Sequence, residues 1–430
     1  MVEDEYIFEA FRLCFRHKAS SMSAIKYRWG YEEDLLRLAD EINDRTYSPS
    51  VSTAFVVTTP KYREVFAACF RDRVVHHYVI MRLEPLFEEI FGDRTFNCRV
   101  GKGTLYGINM LKSDIYNCSE GYTKDCWIMK MDLRGFFMSI DKQLLDKMLQ
   151  RFIEERYFGI DKEDIKWLSH VIVMHEPEKN CRKRSPDSLW DYLPPNKSLF
   201  TNGSGLGMPI GNLSSQHFAN FLLHHLDKFI EDLGFKYHGR YVDDFYIVDT
   251  DKCKMLRAVE DIRSYLRDEL HVALHQDKFY FQHYSKGVSF TGGIVKYGRI
   301  YPGKRHVSNF YSSIYRLGFM NTPAKVDNAL CSVNSYLGLM KHFNSYAIRR
   351  KGFSKLSEEG WGHIYVKKKF LVVKQRKNWK KRKIPESEYL RAYYMKEPIR
   401  FESLGWDILF CVNKKSKPVE LSLDCDRLPF

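Results

Sequence analysis

The sequence predicts an α+β fold with a mixed centre between helical ends. Strands and helices alternate through the middle of the chain, whereas both flanks place apolar residues at helical spacing. Neither an internal repeat nor a low-complexity linker interrupts the pattern. At 430 residues the chain is long enough for a large core and about two or three domains. Hydrophobic residues make up 44% and aromatic residues 15%, so a globular chain is expected and a disordered one is not. No stretch approaches the ~20 apolar residues of a membrane span, so no membrane partner is expected.

The first helices lie in EYIFEAFRLCFRHK and YEEDLLRLADEIND. SPSVSTAFVVTTPKYREVFAA then alternates valine, threonine and aromatic residues, which predicts strands. CFRDRVVHHYVIMRLEPLFEEIF returns to helical spacing, WIMKMDLRGFFMSI reads as a strand entering a turn, and DKQLLDKMLQRFIEE as the next helix. Residues 175–204 are rich in charge, proline and asparagine and predict a long exposed insertion. GNLSSQHFANFLLHHLDKFIEDLG is an amphipathic helix closed by Gly234. The strand YVDDFYIV, the helix DKCKMLRAVEDIRSYLRDEL and short strands around VALHQDKFYF and GVSFTGGIV come next, and helices resume from about residue 305.

Lys and Arg exceed Asp and Glu by 14, with a pI near 9.1, which points to a polyanionic partner, nucleic acid or an acidic membrane, with a highly soluble surface as the alternative reading. Ten cysteines are scattered without a CxxC pair, which argues against a zinc site or a disulfide framework. Reduced thiols in a cytoplasmic protein are the simplest expectation. The N-terminus carries acids where a secretory signal would carry basic residues.

Two adjacent aspartates, Asp243 and Asp244, break the strand-forming run YVDDFYIV at its centre. They repel each other unless a positive charge sits between them. A hairpin tip with solvated aspartates is one reading, although two-residue hairpins favour Asn-Gly or Asp-Gly. A divalent metal site is the other. Upstream, in KMDLRGFFMSID, Asp132 ends a second apolar strand, where it could simply cap a turn. Two strands that each deliver carboxylate at one end can hold two Mg²⁺ ions ~3.5–4 Å apart, as in phosphoryl transfer. Mg²⁺ takes few protein carboxylates and lets substrate phosphates fill its other positions.

DLRGFF with YVDD resembles motifs A and C of reverse transcriptases, and further blocks agree in order. FRDRVVHHYV (70–79) resembles the fingers segment of the bacterial enzymes, and NCRVGKGTLYG (97–107) the block after it. GLGMPIGNLSSQHFANFLLHHLD resembles motif B, LHQDKFYFQ motif D, and FTGG the primer-grip turn. The resemblance spans roughly residues 50–345. Motif B carries Ile210, Gly211 and Gln216 in the IGxxxSQ form of diversity-generating retroelement enzymes, where intron enzymes begin with Gln-Gly. SYLGLMKHFNSY is also similar to that group, and anti-phage defence reverse transcriptases carry related blocks.

The resemblance implies a right-hand polymerase with fingers, palm, a helical thumb and a basic C-terminal extension. The expected boundaries are 1–50 for an N-terminal helical region, 51–300 for fingers and palm, 301–350 for the thumb and 351–430 for the extension. It implies RNA-directed DNA synthesis at two Mg²⁺ ions, with Mn²⁺ as an alternative. Asp132 and Asp243 are expected to bridge both ions, and Asp244 to coordinate less directly. Phe137 is expected to gate the sugar, because an aromatic ring under C2′ clashes with a 2′-hydroxyl; either it or Phe136 would otherwise be core. Arg63, Arg71 and Arg73 are candidates for the triphosphate, since planar guanidinium groups pair with phosphate oxygens. For Arg71 a structural ion pair is the competing reading. Lys278 is a candidate general acid for departing pyrophosphate, or a solvated lysine. Gly207, Pro209 and Gly211 are expected to let the motif B backbone approach template and nucleotide, with Ile210 and Gln216 beside them.

Between 367 and 383, ten of seventeen residues are basic and none is acidic. Phe370 and Trp379 are interleaved, so the run including Lys380, Lys381, Arg382 and Lys383 reads as a single-stranded RNA binder. The expected partners are a dedicated noncoding RNA template, a nucleic-acid primer and deoxynucleotides, with a small accessory protein or a second copy of the chain as further partners. Two alternatives stand beside a diversifying polymerase: a phage-defence enzyme with the same chemistry, and an RNA-binding scaffold with a dead palm. Intact Asp132, Asp243 and Asp244 argue against the scaffold.

Overall fold

A computed structural model describes residues 2–376 apart from 17, 60 and 319–322. Helices α1 (Asp4–Arg16), α2 (Met22–Tyr27) and α3 (Tyr31–Asn43) open the chain. The valine- and threonine-rich stretch forms strands β1 (Ser52–Val57) and β2 (Arg63–Ala67), succeeded by helices α4 (Phe70–Phe91) and α5 (Thr104–Cys118). Strand β3 (Trp127–Asp132) leads into the single turn α6 (Phe136–Ser139) and helices α7 (Lys142–Arg156) and α8 (Lys162–Met174). After β4 (Cys181–Lys183) come helix α9 (Leu213–Asp232), the hairpin β5 (Tyr237–Tyr241) and β6 (Asp244–Asp249), helix α10 (Lys252–Asp268) and strand β7 (Tyr280–His283). The helices over α5 and α8 lie in stretches to which the sequence pattern gave no element.

The chain divides after Tyr284 into two compact units. In the first, an antiparallel sheet of order β5-β6-β3-β7 turns Met129, Met131, Phe245 and Ile247 into a core shared with α1, α3, α4, α7, α8, α9 and α10. Those four residues occupy one face because side chains alternate along a strand. The other face carries Lys130, Asp132, Asp244 and Tyr246. Ile7, Phe11, Leu35 and Leu38 of the N-terminal helices are buried in the same core as Phe70 and Val74, so the first 50 residues share a core with helix α4 and the sheet.

The second unit holds β8 (Val288–Phe290), β9 (Gly293–Lys296) and β10 (Arg299–Pro302), then α11 (Lys304–Leu317), α12 (Pro323–Met340), α13 (Tyr346–Phe353) and α14 (Glu358–His363). A hairpin of β11 (Ile364–Lys367) and β12 (Val372–Gln375) ends the described chain. Strands β8 to β10 pair with one another and belong to this second unit, which begins at Ser285. Phe353, Leu356, Ile364 and Val373 share one cluster with Phe310, Ile314 and Leu337, so residues 351–376 extend the helical thumb segment.

The segment 175–204 is largely exposed, as the composition predicts, but it is also anchored to the strands before it. Strand β4 pairs in parallel with β1 to complete a sheet of order β2-β1-β4, and the Ser185 hydroxyl accepts from the Val56 amide at 3.0 Å. Fully buried Glu64 of β2 supplies the anchor. Its carboxylate accepts from Trp190 Nε1 at 2.7 Å, Ser198 Oγ at 2.6 Å and the Leu199 amide at 2.6 Å. Composition signals exposure residue by residue and cannot show that one buried acid satisfies three donors. Glu64→Ala would strand those donors, and we expect it to destabilise the chain by about 2–4 kcal/mol in denaturant unfolding. A loss below about 0.5 kcal/mol would show that the segment is held elsewhere.

Candidate active site

Strands β3 and β6 are in a register that makes Asp132 and Asp244 direct cross-strand partners, and Tyr241 faces Asp244 from β5. The loop between β5 and β6 is therefore Val242-Asp243, a two-residue hairpin tip. Val242 has φ +57°, while Asp243 keeps a negative φ. A β-branched residue there is strained, in a position that two-residue hairpins usually give to glycine. The hairpin geometry weighed against a metal site is thus present, and it places Asp243 beside the Asp132–Asp244 pair. The Leu133 amide donates to the Asp243 carbonyl at 3.2 Å and ties the tip to the end of β3.

Three carboxylates around one strand end need positive charge. Lys278 Nζ lies 2.7 Å from Asp132 Oδ1, carried there by the loop in which the His275 amide donates to the Asp132 carbonyl. Lys130 Nζ, on the same face as Asp132, lies 3.4 Å from Asp244 Oδ1. Burial raises Asp243 above the usual carboxylate range and the charge of Asp132 adds to the shift, opposed by Lys278 and Arg63. Asp244 is raised to about 6, mainly by burial, with Lys130 opposing and Asp132 and Asp243 adding. Arg63 is exposed at the start of β2 and its charge reaches Asp243.

The donor set fits a hard divalent cation. All three groups are carboxylates, and Asp244 Oδ1 is a buried oxygen that makes no hydrogen bond, with the Lys130 ammonium 3.4 Å away. Among the described residues no three His, Cys, Asp or Glu side chains are grouped closely enough to hold a metal ion by themselves. Such an open set suits Mg²⁺, which completes its shell with water and substrate phosphates.

Of the two phenylalanines, Phe136 is core and Phe137 is half-buried at its edge. The Phe137 carbonyl accepts from the Met208 amide at 2.7 Å, so the motif B loop is tied to this turn. Ile210 packs against Ala54, Phe66, Met138 and Leu199, and its carbonyl accepts from the Phe66 amide at 2.9 Å. Gly211 has a packing role of its own. A Cβ there would meet Val65 Cγ1 at 2.8 Å and the Phe66 carbonyl oxygen at 3.0 Å, so the missing side chain makes room for β2. Gly207 similarly admits Leu199 and Asn202. Gln216 Oε1 accepts from Cys98 Sγ at 2.8 Å.

Arg71 takes the second of its two readings, the structural ion pair. Its guanidinium is 2.5 Å from Glu41 and 3.7 Å from Asp34, so its charge fastens α4 to α3. Arg73 is half-buried and donates Nε to the Ala68 carbonyl at 2.9 Å. Phe370 stacks on Phe353 at 5.6 Å inside the thumb cluster and does not stand free for a base. Lys367, Lys368, Lys369 and Lys374 are on the last hairpin and Arg376 directly follows it, and all five are exposed. Trp379, Lys380, Lys381, Arg382 and Lys383 lie outside the described residues.

Sequence reasoning missed the groups that hold the tip. Asn97 Oδ1 accepts from the Val242 amide at 2.9 Å, and Arg240 Nη1 donates to the Val242 carbonyl at 3.2 Å. Asn97 Nδ2 donates to Asn220 Oδ1 at 2.8 Å, and Arg240 forks onto Asp227 at 2.8 and 2.6 Å. Asn220 and Asp227 lie on the buried side of α9. Polar residues at core spacing in that helix were the available signal.

A family model described as reverse transcriptase (RNA-dependent DNA polymerase) matches residues 53–295, more than half of the chain. The chain belongs to the reverse transcriptase family. It is therefore an RNA-directed DNA polymerase with the right-hand fold. It is 22% identical to protein YkfC of Escherichia coli, over 68% of this chain and 80% of that one. It is 25% identical to nuclear intron maturase 1, mitochondrial, of Arabidopsis thaliana, over 38% of this chain and 22% of that one. It is 22% identical to the group II intron-encoded protein LtrA of Lactococcus lactis, over 48% of this chain and 30% of that one. Among solved structures, apo telomerase from Candida tropicalis aligns over 73% of this chain and 57% of its own, at TM-score 0.46 and 12% identity. No helix among the described residues is long and apolar enough to cross a membrane.

A raised carboxylate makes the folded state less stable once it ionises. Without divalent ions, stability is therefore fullest at acidic pH and is lost as pH rises through about 6, where Asp244 deprotonates. Comparing melts of wild type and Asp244→Asn from pH 4.5 to 7.5 isolates this contribution. We expect wild type to lose about 1–3 kcal/mol relative to the variant across that window, and added Mg²⁺ to restore it. Parallel curves would show that Asp244 ionises freely.

Proposed function

We propose that this reverse transcriptase copies a dedicated noncoding RNA into complementary DNA by two-metal-ion nucleotidyl transfer. The observation that carries the reading is the convergence of Asp132, Asp243 and Asp244 at one strand end and hairpin tip, with Lys278 and Arg63 beside them. Asp132 and Asp243 would hold the ions, with Asp244 at the margin. Bound there, Mg²⁺ or Mn²⁺ supplies charge stabilisation for attack of a primer 3′-hydroxyl on the α-phosphorus of a deoxynucleotide. Lys278, whose ammonium lies 2.7 Å from Asp132, would be the proton donor to the departing pyrophosphate. Arg63 offers a planar donor to the triphosphate. Phe137, half-buried beside core residue Phe136, would be the sugar gate. The basic residues of the last hairpin, with the basic run beyond it, favour RNA phosphates.

The diversifying subtype rests on Ile210. Its side chain offers shape and no hydrogen bond, where a glutamine could hold template and nucleotide in register. It packs on the cluster that seats β2, so its influence on base pairing would pass through the fingers strand.

Asp243→Ala with Asp244→Ala should lower DNA synthesis by more than ~10³-fold, because losing even one preorganised electrostatic contact costs ~10²–10³ in rate. RNA binding should persist in a filter or gel-shift assay. Substantial synthesis by the folded double variant would refute the site.

The subtype is tested by sequencing products copied from one template by wild type and by Ile210→Gln. We expect wild-type errors to concentrate at particular template bases, and the substitution to change that spectrum more than the rate. Uniformly accurate wild-type copying would remove the diversifying reading and favour the defence enzyme.

A further inference from the structure

The catalytic hairpin is bent into a conformation that its own sequence disfavours. Val242 sits at φ +57° with two branches on its Cβ, immediately before Asp243. Nothing within the two-residue tip offsets that strain, so the surroundings must hold it. Both backbone polar groups of Val242 are held. Its amide donates to Asn97 Oδ1 at 2.9 Å, and its carbonyl accepts from Arg240 Nη1 at 3.2 Å.

Each of these holders is fixed in turn. Asn97 is buried, at 4% exposure, and exchanges hydrogen bonds with Asn220, giving Nδ2–H to its Oδ1 at 2.8 Å and taking its Nδ2–H on the backbone carbonyl at 3.0 Å. That exchange fixes which atom of the Asn97 amide is the oxygen facing Val242. Arg240 is fully buried, and its fork is saturated by Asp227, Asn220, Thr95 and Val242. The chain around Thr95 runs parallel to β5, with the Phe96 amide on the Arg240 carbonyl at 2.9 Å, so Asn97 reaches the tip from a rigid neighbour.

We propose that Asn97 is a positioning residue for Asp243, holding the left-handed Val242 turn so that the Asp243 carboxylate faces Asp132. The inference rests on the polymerase reading of these carboxylates. Asn97 itself touches no reacting atom; it acts only through the Val242 amide. A glycine at 242 would adopt the same φ without strain and would need less holding. Asn97 should therefore matter greatly with valine at 242 and little with glycine.

The experiment is a double-variant cycle of Asn97→Ala and Val242→Gly in the full chain, read by single-nucleotide incorporation on an RNA template with a DNA primer. We expect Asn97→Ala to lower kcat by about tenfold to a hundredfold, since ångström-scale misplacement of a reacting group costs up to ~10² in rate. The KM for deoxynucleotide should stay within about threefold. Val242→Gly should restore most of kcat to the Asn97→Ala chain. Amide hydrogen exchange gives a readout independent of turnover: the 242 amide should be protected in wild type and exposed in Asn97→Ala. If Asn97→Ala does not fold alone, Val242→Gly compared with the double variant carries the test, with kcat expected to agree within about threefold. Wild-type kcat in Asn97→Ala, or an equal loss in both backgrounds, would overturn the inference and leave the polymerase reading standing. No DNA synthesis by wild type with Mg²⁺ or Mn²⁺ would overturn the reading, and the inference with it.

Discussion

Asp132 and Asp244 face each other across β3 and β6, and this one cross-strand pair constrains the rest of the first unit. Like charges directly opposite on a sheet are destabilising, so the register has to be imposed from elsewhere. The opposite face imposes it. Met129 and Met131 pair with Ile247 and Phe245 in the core, and a one-residue slip would turn these side chains to the carboxylate face and the carboxylates into the core. The hydrophobic face thus fixes where the charged face concentrates its aspartates. Lys130 and Lys278 temper the repulsion, and burial of Asp243 and Asp244 keeps their proton affinity high. The arrangement gives up stability at the place where a divalent cation would gain most.

The second constraint is the backbone of the tip. A β5–β6 turn with two ordinary glycine-like residues would need no support, whereas Val242 needs an amide acceptor and a carbonyl donor held in place. Asn97, Asn220, Arg240, Asp227 and Thr95 supply them as one buried network. A fully satisfied buried network is rigid, and a half-satisfied one is costly. The segment before α5, helix α9 and strand β5 therefore meet at the carboxylates for a physical reason, beyond their order in the chain. Strands β1 and β2 meet the motif B loop at Gly211 and Ile210, which pack against Val65 and Phe66 and against the cluster around Ala54 and Leu199.

Much of this was legible in the sequence because it is local. The apolar run before Asp132, the amphipathic α9 and the aromatic run around Asp243 and Asp244 announce their own elements. The aspartates were recognisable because charge inside a strand-forming run is costly. Arg71 was open in the sequence between phosphate binding and an ion pair. Only packing brings Glu41 and Asp34 to it, from a helix some thirty residues earlier. Glu64 drew no reading from the sequence, and its three donors come from a segment more than a hundred residues on. Gly211 carries no side chain to read, so its neighbours Val65 and Phe66 had to be seen. Asn97 escaped for the same reason, since a neutral amide shows its role only when its two partners are known.

The most direct test is a Mn²⁺ titration of the full chain, bound to primer–template and a non-hydrolysable deoxynucleotide analogue and read by paramagnetic resonance. Facing carboxylates kept for a divalent cation predict two bound ions per chain in wild type and loss of bound Mn²⁺ in Asp132→Asn, with the variant still folded and still holding RNA. Equal Mn²⁺ binding by wild type and Asp132→Asn, or none by either, would contradict that claim.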